Sequence, residues 1–524
     1  MAKRFNVTGT CFPERHYMAD ISAKFKIVLE MIEYGDYFAI NRPRQYGKTT
    51  MLETINRALG KSEDWLVFNI SFEGIDSETA SEMTPFCQAF VRLLAEEMLD
   101  QGNIELSNFL IEQTLNTHTL IDVSRLITEL VQKTNKKMIL LIDEVDKSSN
   151  NQLFLDFLAM LRNKFLRRQT PSSFTFHSVI LAGLYDVKSL KAKIRPDSEA
   201  KYNSPWNIAA DFNVVMELQP NEIIPMLKDY AQAQHVQMDF QAIADALFYY
   251  TSGYPFLVSA LCKITDEAIL PLKTERTWIV FDIETAADKL IKSEKSNTNF
   301  DTLIKNLEND EALYNLVYRL VIENEPFNFN VHDPLINKGM LHGILRNGTG
   351  LNINNRIYRE IIVNYMTSKT LTSGQSLHIE TAEPYLLANN ALDMRKVLLK
   401  FQELMQLEYS KKDDSFIERH GRLIFLAFLK PILNGKGYAF KEPEISEERR
   451  MDIAVSFFQH KYIVELKIWR GKVAHDKGLK QLGNYLDRQQ LAEGFLVIFE
   501  QTTTKTWKKG WLRVNGKRVF AVWV

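Results

Sequence analysis

Two groups of residues in this chain have the types and spacing to handle phosphate. The first is the run N-R-P-R-Q-Y-G-K-T-T over residues 41–50, which closes on Gly47, Lys48 and Thr49. Those three complete the second half of the phosphate-loop pattern G-x-x-x-x-G-K-[ST]. Arg42 stands where the first glycine belongs. The amides that meet a β-phosphate come mainly from the residues around Gly47 and Lys48, and Pro43 can stiffen the turn by fixing its backbone angle. Arg44, Gln45, Tyr46, Gly47, Lys48, Thr49 and Thr50 are therefore the candidate nucleotide contacts. Arg42 and Arg44 either add phosphate contacts or face solvent, and solvent is the plainer reading. The second group lies in M-D-I-A-V-S-F-F-Q-H-K-Y-I-V-E-L-K-I-W over residues 451–469. Asp452 opens one strand pattern, and Glu465 and Lys467 sit two apart on another. Strand side chains alternate, so Glu465 and Lys467 share one face while Val464, Leu466 and Ile468 face a core. An acid and a lysine set into an apolar strand are costly without a partner. Asp452 and Glu465 could share a magnesium ion, with Lys467 positioning a water and offsetting charge that grows on a phosphate. A surface ion pair across a hairpin is the plain alternative.

Each group needs elements to position it. A phosphate loop requires a strand before it and a helix after it, because the helix N-terminus presents unpaired N–H groups to the anion. Tyr37–Ile40 is short and apolar, as a buried strand is. After the loop, Met51, Leu52, Ile55, Ala58 and Leu59 recur at helical spacing. The loop also needs an acid at the tip of a second buried strand. K-M-I-L-L-I-D-E-V-D over 137–146 supplies five apolar residues, then Asp143 and Glu144. Asp143 would anchor Mg2+ through water beside Thr49, and Glu144 could polarise an attacking water. In the rear group, a turn around Gln459-His460-Lys461 would make the two strands a hairpin. Downstream, Gln481 and Tyr485 are four apart and share a helix face. Another apolar strand follows over 494–499. His420, His460 and His475 lie near these motifs and read as surface or cap residues.

Composition limits the setting. Hydrophobic residues make up 45% and charged residues 25%, as in ordinary globular cores, and the length allows about three or four domains. Cys11, Cys87 and Cys262 are far apart, which excludes a zinc ribbon and points to a reducing cytoplasm. No apolar run reaches the ~20 residues of a membrane span, and no signal-peptide core follows the first residues. From residue 411 onward there are 22 Lys+Arg and 13 Asp+Glu, against 42 and 52 in the remainder. A basic end on an acidic body fits a polyanionic partner there. The W-K-K-G-W run at 507–511 mixes cations and aromatics as nucleic-acid surfaces do, or makes an edge-strand turn.

The front motifs, together with S-V-I-L-A-G-L-Y-D-V, N-S-P-W-N-I-A-A-D-F and T-S-G-Y-P-F-L-V-S, resemble the AAA-like ATPases related to the STAND signalling NTPases. The resemblance covers about residues 5–290. It implies an α/β fold with a parallel sheet and a helical lid starting at Gly253-Tyr254-Pro255, with ATP and Mg2+ as cofactors. The strand ending Leu181-Ala182-Gly183 lacks the polar sensor of many such enzymes, which implies slow, switch-like hydrolysis. The pattern D…E-x-K with Q-x-x-x-Y resembles the PD-(D/E)XK nucleases of the RecB-like branch, over about residues 380–510. That resemblance implies that Asp452 and Glu465 bind Mg2+ or Mn2+ with help from the Leu466 carbonyl, and that Lys467 orients the nucleophile, with Gln481 and Tyr485 completing the motif. Met451 replaces the leading proline, and the opening acid is Glu418, Glu442 or Glu444.

The expected order is a P-loop core over 1–220, a lid over 221–298, a winged-helix-like segment over 299–368, a linker over 369–380 and a restriction-endonuclease-like α/β domain over 381–524. The winged-helix reading rests on helical patterns followed by Asn347-Gly348 between β-prone runs, and the linker reading on the polar stretch Thr367–Gln375. The combined expectation is a nucleotide-regulated nuclease, with DNA favoured over RNA, in bacterial defence or mobile-element biology. The competing expectation is an ATP-driven switch or scaffold that binds nucleic acid without cutting it. Self-association is compatible with both.

Overall fold

The computed structural model describes residues 3–134, 136–145, 152–183, 208–292, 297–322, 325–348, 350–372, 383–408, 421, 424–426, 428–429, 432–433, 437–440, 453–468, 479–480, 482–487, 489–500 and 506–524. Asp452 and Gln481 lie outside these residues, as do Glu418, Glu442, Glu444, His420 and His475. Two compact units divide the chain. The front unit takes residues 1–299, 330–347 and 354–357, and the rear unit takes 300–329, 348–353 and 358–524.

The front unit is built on four strands: β1 (Tyr37–Asn41), β2 (Trp65–Ser71), β3 (Lys137–Asp143) and β4 (Ser178–Gly183). They pair in the order β1-β4-β3-β2, all parallel. A parallel bridge between Phe38 and Ala210 extends the sheet past β1. Every residue of β4 and all but the first of β3 are buried. Both faces of a parallel sheet are covered, so its strands read as continuous apolar runs rather than alternating ones. One face packs a core that includes Phe68, Leu140, Ile142, Phe86, Phe90 and Phe157. The helix Lys48–Leu59 follows β1, and its Met51, Leu52 and Ile55 are buried.

Beyond the sheet, helices Pro220–Gln234, Phe240–Thr251, Pro255–Ile264 and Val280–Ile291 occupy the range expected for a lid. The short strands β5 (Gln237–Met238) and β6 (Thr277–Trp278) pair in parallel beside them. Gly253 sits at φ +75°, and its carbonyl accepts from Leu218 N at 2.8 Å. A Cβ there would stand 2.3 Å from the Leu218 carbonyl oxygen. Only glycine fits that approach, which explains the Ser-Gly-Tyr-Pro sequence at the start of the third lid helix. Lys164 is 2% exposed. It donates to Thr128 Oγ1 at 2.7 Å and to the Ser124 carbonyl at 2.8 Å. Burial pulls its pKa down to about 8.

Helices Thr298–Glu308, Glu311–Val321 and Pro334–Leu341 come next, then β7 (Leu345–Asn347) and β8 (Leu351–Ile353) on either side of the Asn347-Gly348 turn. The order here is three helices followed by two short strands. The polar stretch read as a linker begins as helix, because Arg356–Thr372 is one continuous helix. Met366 and Thr367 are buried at 0% and 1% exposure. Tertiary burial overrides the low helix propensity of Ser and Thr there.

The rear unit carries a six-stranded mixed sheet: β9 (Gly437–Phe440), β10 (Ile453–Phe457), β11 (His460–Ile468), β12 (Glu493–Phe499), β13 (Lys509–Val514) and β14 (Lys517–Trp523). The order is β13-β14-β12-β11-β10-β9. Its centre, β11-β12-β14, is parallel, and the flanking pairs are antiparallel. Phe457 pairs with His460, so the hairpin turn is Phe458-Gln459, one residue earlier than the sequence pattern placed it. One face packs against helix Met394–Glu408 through Val397, Leu398, Phe401 and Met405. The other face carries Ala454, Ile463, Leu496 and Ile498 beneath Leu482 and Leu486. A Cβ on Gly494 would stand 2.7 Å from Leu486 Cδ1, so the bare backbone of β12 lets Leu486 approach this closely.

Candidate functional sites

In the front unit, β1 delivers the chain to a loop whose backbone is set by two left-handed residues, Gln45 at φ 59° and Gly47 at φ 80°. Gly47 caps the helix that begins at Lys48. Alternating left-handed residues before a helix N-terminus turn successive N–H groups toward one point, which makes an anion cradle. Lys48 Nζ donates to the carbonyls of Arg42 at 2.9 Å and Pro43 at 3.0 Å. Thr49 Oγ1 donates to Asp143 Oδ2 at 2.5 Å, so the loop threonine and the acid at the tip of β3 meet. Asp143 is 6% exposed, and its Oδ1 accepts from Glu144 N at 2.9 Å. Glu144 holds φ 52°, an unfavourable angle for a non-glycine residue of the kind often retained at working sites. Thr50 Oγ1 accepts from Cys11 N at 3.2 Å, which ties the N-terminal segment to the loop helix.

Arg44 is exposed, as expected. Arg42 is not solvent-facing: it is half-buried, its Nη2 donates to the Val214 carbonyl at 2.8 Å, and its guanidinium lies 5.5 Å from the Phe212 ring. The partner segment around 212–214 is distant in sequence, so local pattern could not anticipate this role. Tyr46 is fully buried, packs edge-on against Tyr254 at 4.4 Å and accepts from Asn354 Nδ2 at 2.8 Å. Burial drives its phenol pKa well upward, so the hydroxyl stays neutral. Tyr254 Oη donates to the Arg44 carbonyl at 2.5 Å. Sequence reading placed Tyr254 near the nucleotide and missed Asn299 and Asn354, which carry no motif.

The oxygen donors of Thr49 and Asp143 are hard ligands of the kind Mg2+ prefers, and the cradle precedes a helix N-terminus. The residues present therefore fit a magnesium nucleotide.

In the rear unit, Glu465 sits in the middle of β11 at 1% exposure. Lys467 Nζ lies 2.8 Å from Glu465 Oε1 and keeps 29% of its side chain exposed. Both project to the face of Ile463, which is also the face covered by residues 482–487. Tyr485 belongs to that cover, and its buried hydroxyl has no hydrogen-bond partner among the described residues. Glu465, Lys467 and Tyr485 are therefore brought to one face, while Val464 and Leu466 serve the opposite core, as alternation required. His460 Nε2 lies 3.4 Å from the Asn389 carbonyl, a loop contact. Trp511 is 43% exposed on β13, an edge strand, and Arg518 stands 4.9 Å over its ring. Among the described residues, no group of three or more His, Cys, Asp or Glu side chains is gathered as a metal cage. None of their helices is long and apolar enough to cross a membrane.

The front geometry has a counterpart in sequence. Residues 12–333 match the model of the AAA-like domain. The chain belongs to the AAA-like domain family. It is a nucleotide-binding P-loop ATPase by that membership. Among solved structures, the chain is similar to a Walker-type ATPase of Pyrococcus abyssi, at 13% identity and TM-score 0.47, over 68% of this chain and 99% of that one. The ORC2 protein of Aeropyrum pernix, in ADPNP–ADP complexes, aligns at 12% identity and TM-score 0.38 over 70% and 96%. The RuvB Holliday junction branch migration motor of Thermotoga maritima aligns at 13% and 0.33 over 68% and 98%. No curated protein matches the sequence.

Proposed function

We propose that this AAA-like ATPase is a nucleotide-regulated, metal-dependent nuclease, with DNA favoured over RNA. The observation that carries the nuclease reading is the Glu465–Lys467 pair: an acid at 1% exposure and a lysine 2.8 Å from it, side by side on the central part of a mixed sheet. Desolvating a carboxylate costs several kcal/mol, and a strand this apolar needs no charge for its packing. Tyr485 adds a buried hydroxyl with no partner among the described residues over the same face. Glu465 would hold the metal together with Asp452, which lies outside the described residues.

A bound Mg2+ would lower the pKa of a coordinated water and polarise a phosphoryl oxygen. Lys467 would orient that water and balance the charge arriving on the phosphate. Hydrolysis then adds the water oxygen to phosphorus and releases one ester oxygen, which takes up a proton. At the front, Lys48 would exchange the carbonyls of Arg42 and Pro43 for phosphate oxygens, Thr49 and Asp143 would hold Mg2+, and Glu144 would polarise the water. The missing polar sensor on β4 favours slow turnover.

The test is incubation with Mg2+ or Mn2+ and linear, circular and single-stranded DNA, with and without ATP, for the parent and Lys467→Ala. Loss of cutting in the variant with ATP binding retained supports the reading; equal cutting refutes it. A second reading, a switch that binds nucleic acid without cleaving it, draws on the same pair. Lys467 already neutralises Glu465, which a structural ion pair also explains. Binding without cutting by the folded parent selects that reading.

A further inference from the structure

We infer that Tyr254, Asn299, Tyr46 and Asn354 are positioning residues of the nucleotide site, and that the two asparagines report the state of the phosphate loop to the places where the chain leaves the front unit. This rests on the nucleotide-binding half of the reading above and not on the nuclease half. The argument starts from the backbone. Gln45 holds φ 59° without being glycine. Such a conformation is strained and persists only where surroundings over-determine it. Two bonds do so here. Asn299 Nδ2 donates to Gln45 Oε1 at 2.7 Å, and Tyr254 Oη donates to the carbonyl of the preceding residue, Arg44, at 2.5 Å. The two holding residues also meet each other, with Asn299 Nδ2 donating to Tyr254 Oη at 3.3 Å. On the next residue, Asn354 Nδ2 donates to the buried Tyr46 hydroxyl at 2.8 Å, and the Tyr46 and Tyr254 rings pack edge-on.

Three consecutive loop residues, 44 to 46, are thus held by side chains from 254, 299 and 354. The four holding side chains, Tyr46, Tyr254, Asn299 and Asn354, are each under a tenth exposed, while Arg44 and Gln45 face solvent. Buried polar side chains are expensive unless satisfied, so breaking these bonds is costly. A phosphate in the cradle takes its hydrogen bonds from the same backbone. Any shift of the loop on binding therefore moves, or is resisted by, Asn299 and Asn354. The division of the chain gives that coupling a destination. Asn299 is the last residue of the front unit before the chain first enters the rear unit at Phe300, and Asn354 is the first residue after its second passage there, over 348–353. The loop is pinned at two crossing points by one asparagine each.

The experiment uses the full chain and four variants: Tyr254→Phe, Tyr46→Phe, Asn299→Ala and Asn354→Ala, with Lys48→Ala as control. The two phenylalanine variants keep the rings and remove only the hydroxyls, so they remain informative if an alanine variant misfolds. ATP affinity is measured by equilibrium binding, and amide exchange is followed over 297–308 and 351–357 with and without ATP. The expected result is a roughly tenfold loss of ATP affinity in Tyr254→Phe and Asn299→Ala, through lost preorganisation of the cradle. ATP-dependent protection over 297–308 should shrink in the same two variants, and over 351–357 in Tyr46→Phe and Asn354→Ala. Parent-like affinity together with parent-like ATP-dependent exchange in all four folded variants overturns the proposal. So does a parent that binds ATP with no change in exchange over either segment. ATP binding that survives in Lys48→Ala overturns the nucleotide reading itself, which separates the two failures.

Discussion

The two phosphate-handling candidates are stabilised in opposite ways. At the front, Asp143 stands at the end of a parallel strand and depends on the loop: Thr49 reaches it across 94 residues of chain. The cradle is then held from residues 254, 299 and 354. At the rear, Glu465 lies mid-strand and is answered by Lys467, two residues on in the same strand. The front site is an assembly of distant parts, and the rear pair is carried by one strand and its pleat. A site assembled from distant parts can be moved by its ligand or by its neighbours, and it can lose function through changes far from the chemistry. A site carried by one strand survives as long as the sheet does, and it responds to removal of either member.

That contrast can be broken most decisively at its centres. Lys48→Ala is expected to weaken ATP binding by about a hundredfold or more, read by equilibrium binding, because the loop loses the cation for the phosphates. ATP-independent cutting, if the parent shows any, should persist, and its disappearance would tie the two sites together. Lys467→Ala should abolish metal-dependent cleavage and lower stability by up to about 3 kcal/mol, since a buried carboxylate loses its lysine. The double substitution Glu465→Leu with Lys467→Met sharpens the point. It should recover most of that stability in denaturant unfolding and none of the cutting, which separates a structural ion pair from a working one.

Smaller effects probe the front assembly. Gly253→Ala forces a Cβ to 2.3 Å from the Leu218 carbonyl oxygen at a left-handed φ, and should cost about 2–4 kcal/mol. ATP affinity should fall with it, because Tyr254 is the next residue. The smallest expected effect is a pH dependence. Burial holds Lys164 near a pKa of about 8, against about 10.4 for a free lysine. Between those values the unfolded chain binds more protons, so this residue adds stability as pH rises from 8 toward 10.4 and takes it away as pH falls. The melting-temperature difference between the parent and Lys164→Met should shift in the parent's favour over that window, by at most about 3 kcal/mol in free-energy terms. A flat difference would place the amine in water.

What was legible in the sequence follows the same division. Strand, loop and helix around Gly47-Lys48-Thr49 are encoded within about twenty consecutive residues, and the Asp143 strand is a continuous apolar run, so both could be read directly. Glu465 and Lys467 were legible because a period of two places them on one face without reference to anything else. Arg42, Asn299 and Asn354 were not, because each finds its partner more than a hundred residues away and nothing in its local pattern marks it. The start of the Ser/Thr run after Met366 is helical up to Thr372 for a related reason: Thr367 is buried in the fold, and composition alone describes an unburied chain.

The interleaved division of the chain has a consequence for its synthesis. The front unit takes its last residues from 354–357, after the chain has already entered the rear unit twice. On a ribosome, a nascent chain that has only reached residue 299 lacks Asn354 and the stretch 330–347, so its phosphate loop emerges before the residue that donates to the Tyr46 hydroxyl. The Tyr46 end of the loop gains its asparagine partner only once residue 354 has cleared the exit tunnel.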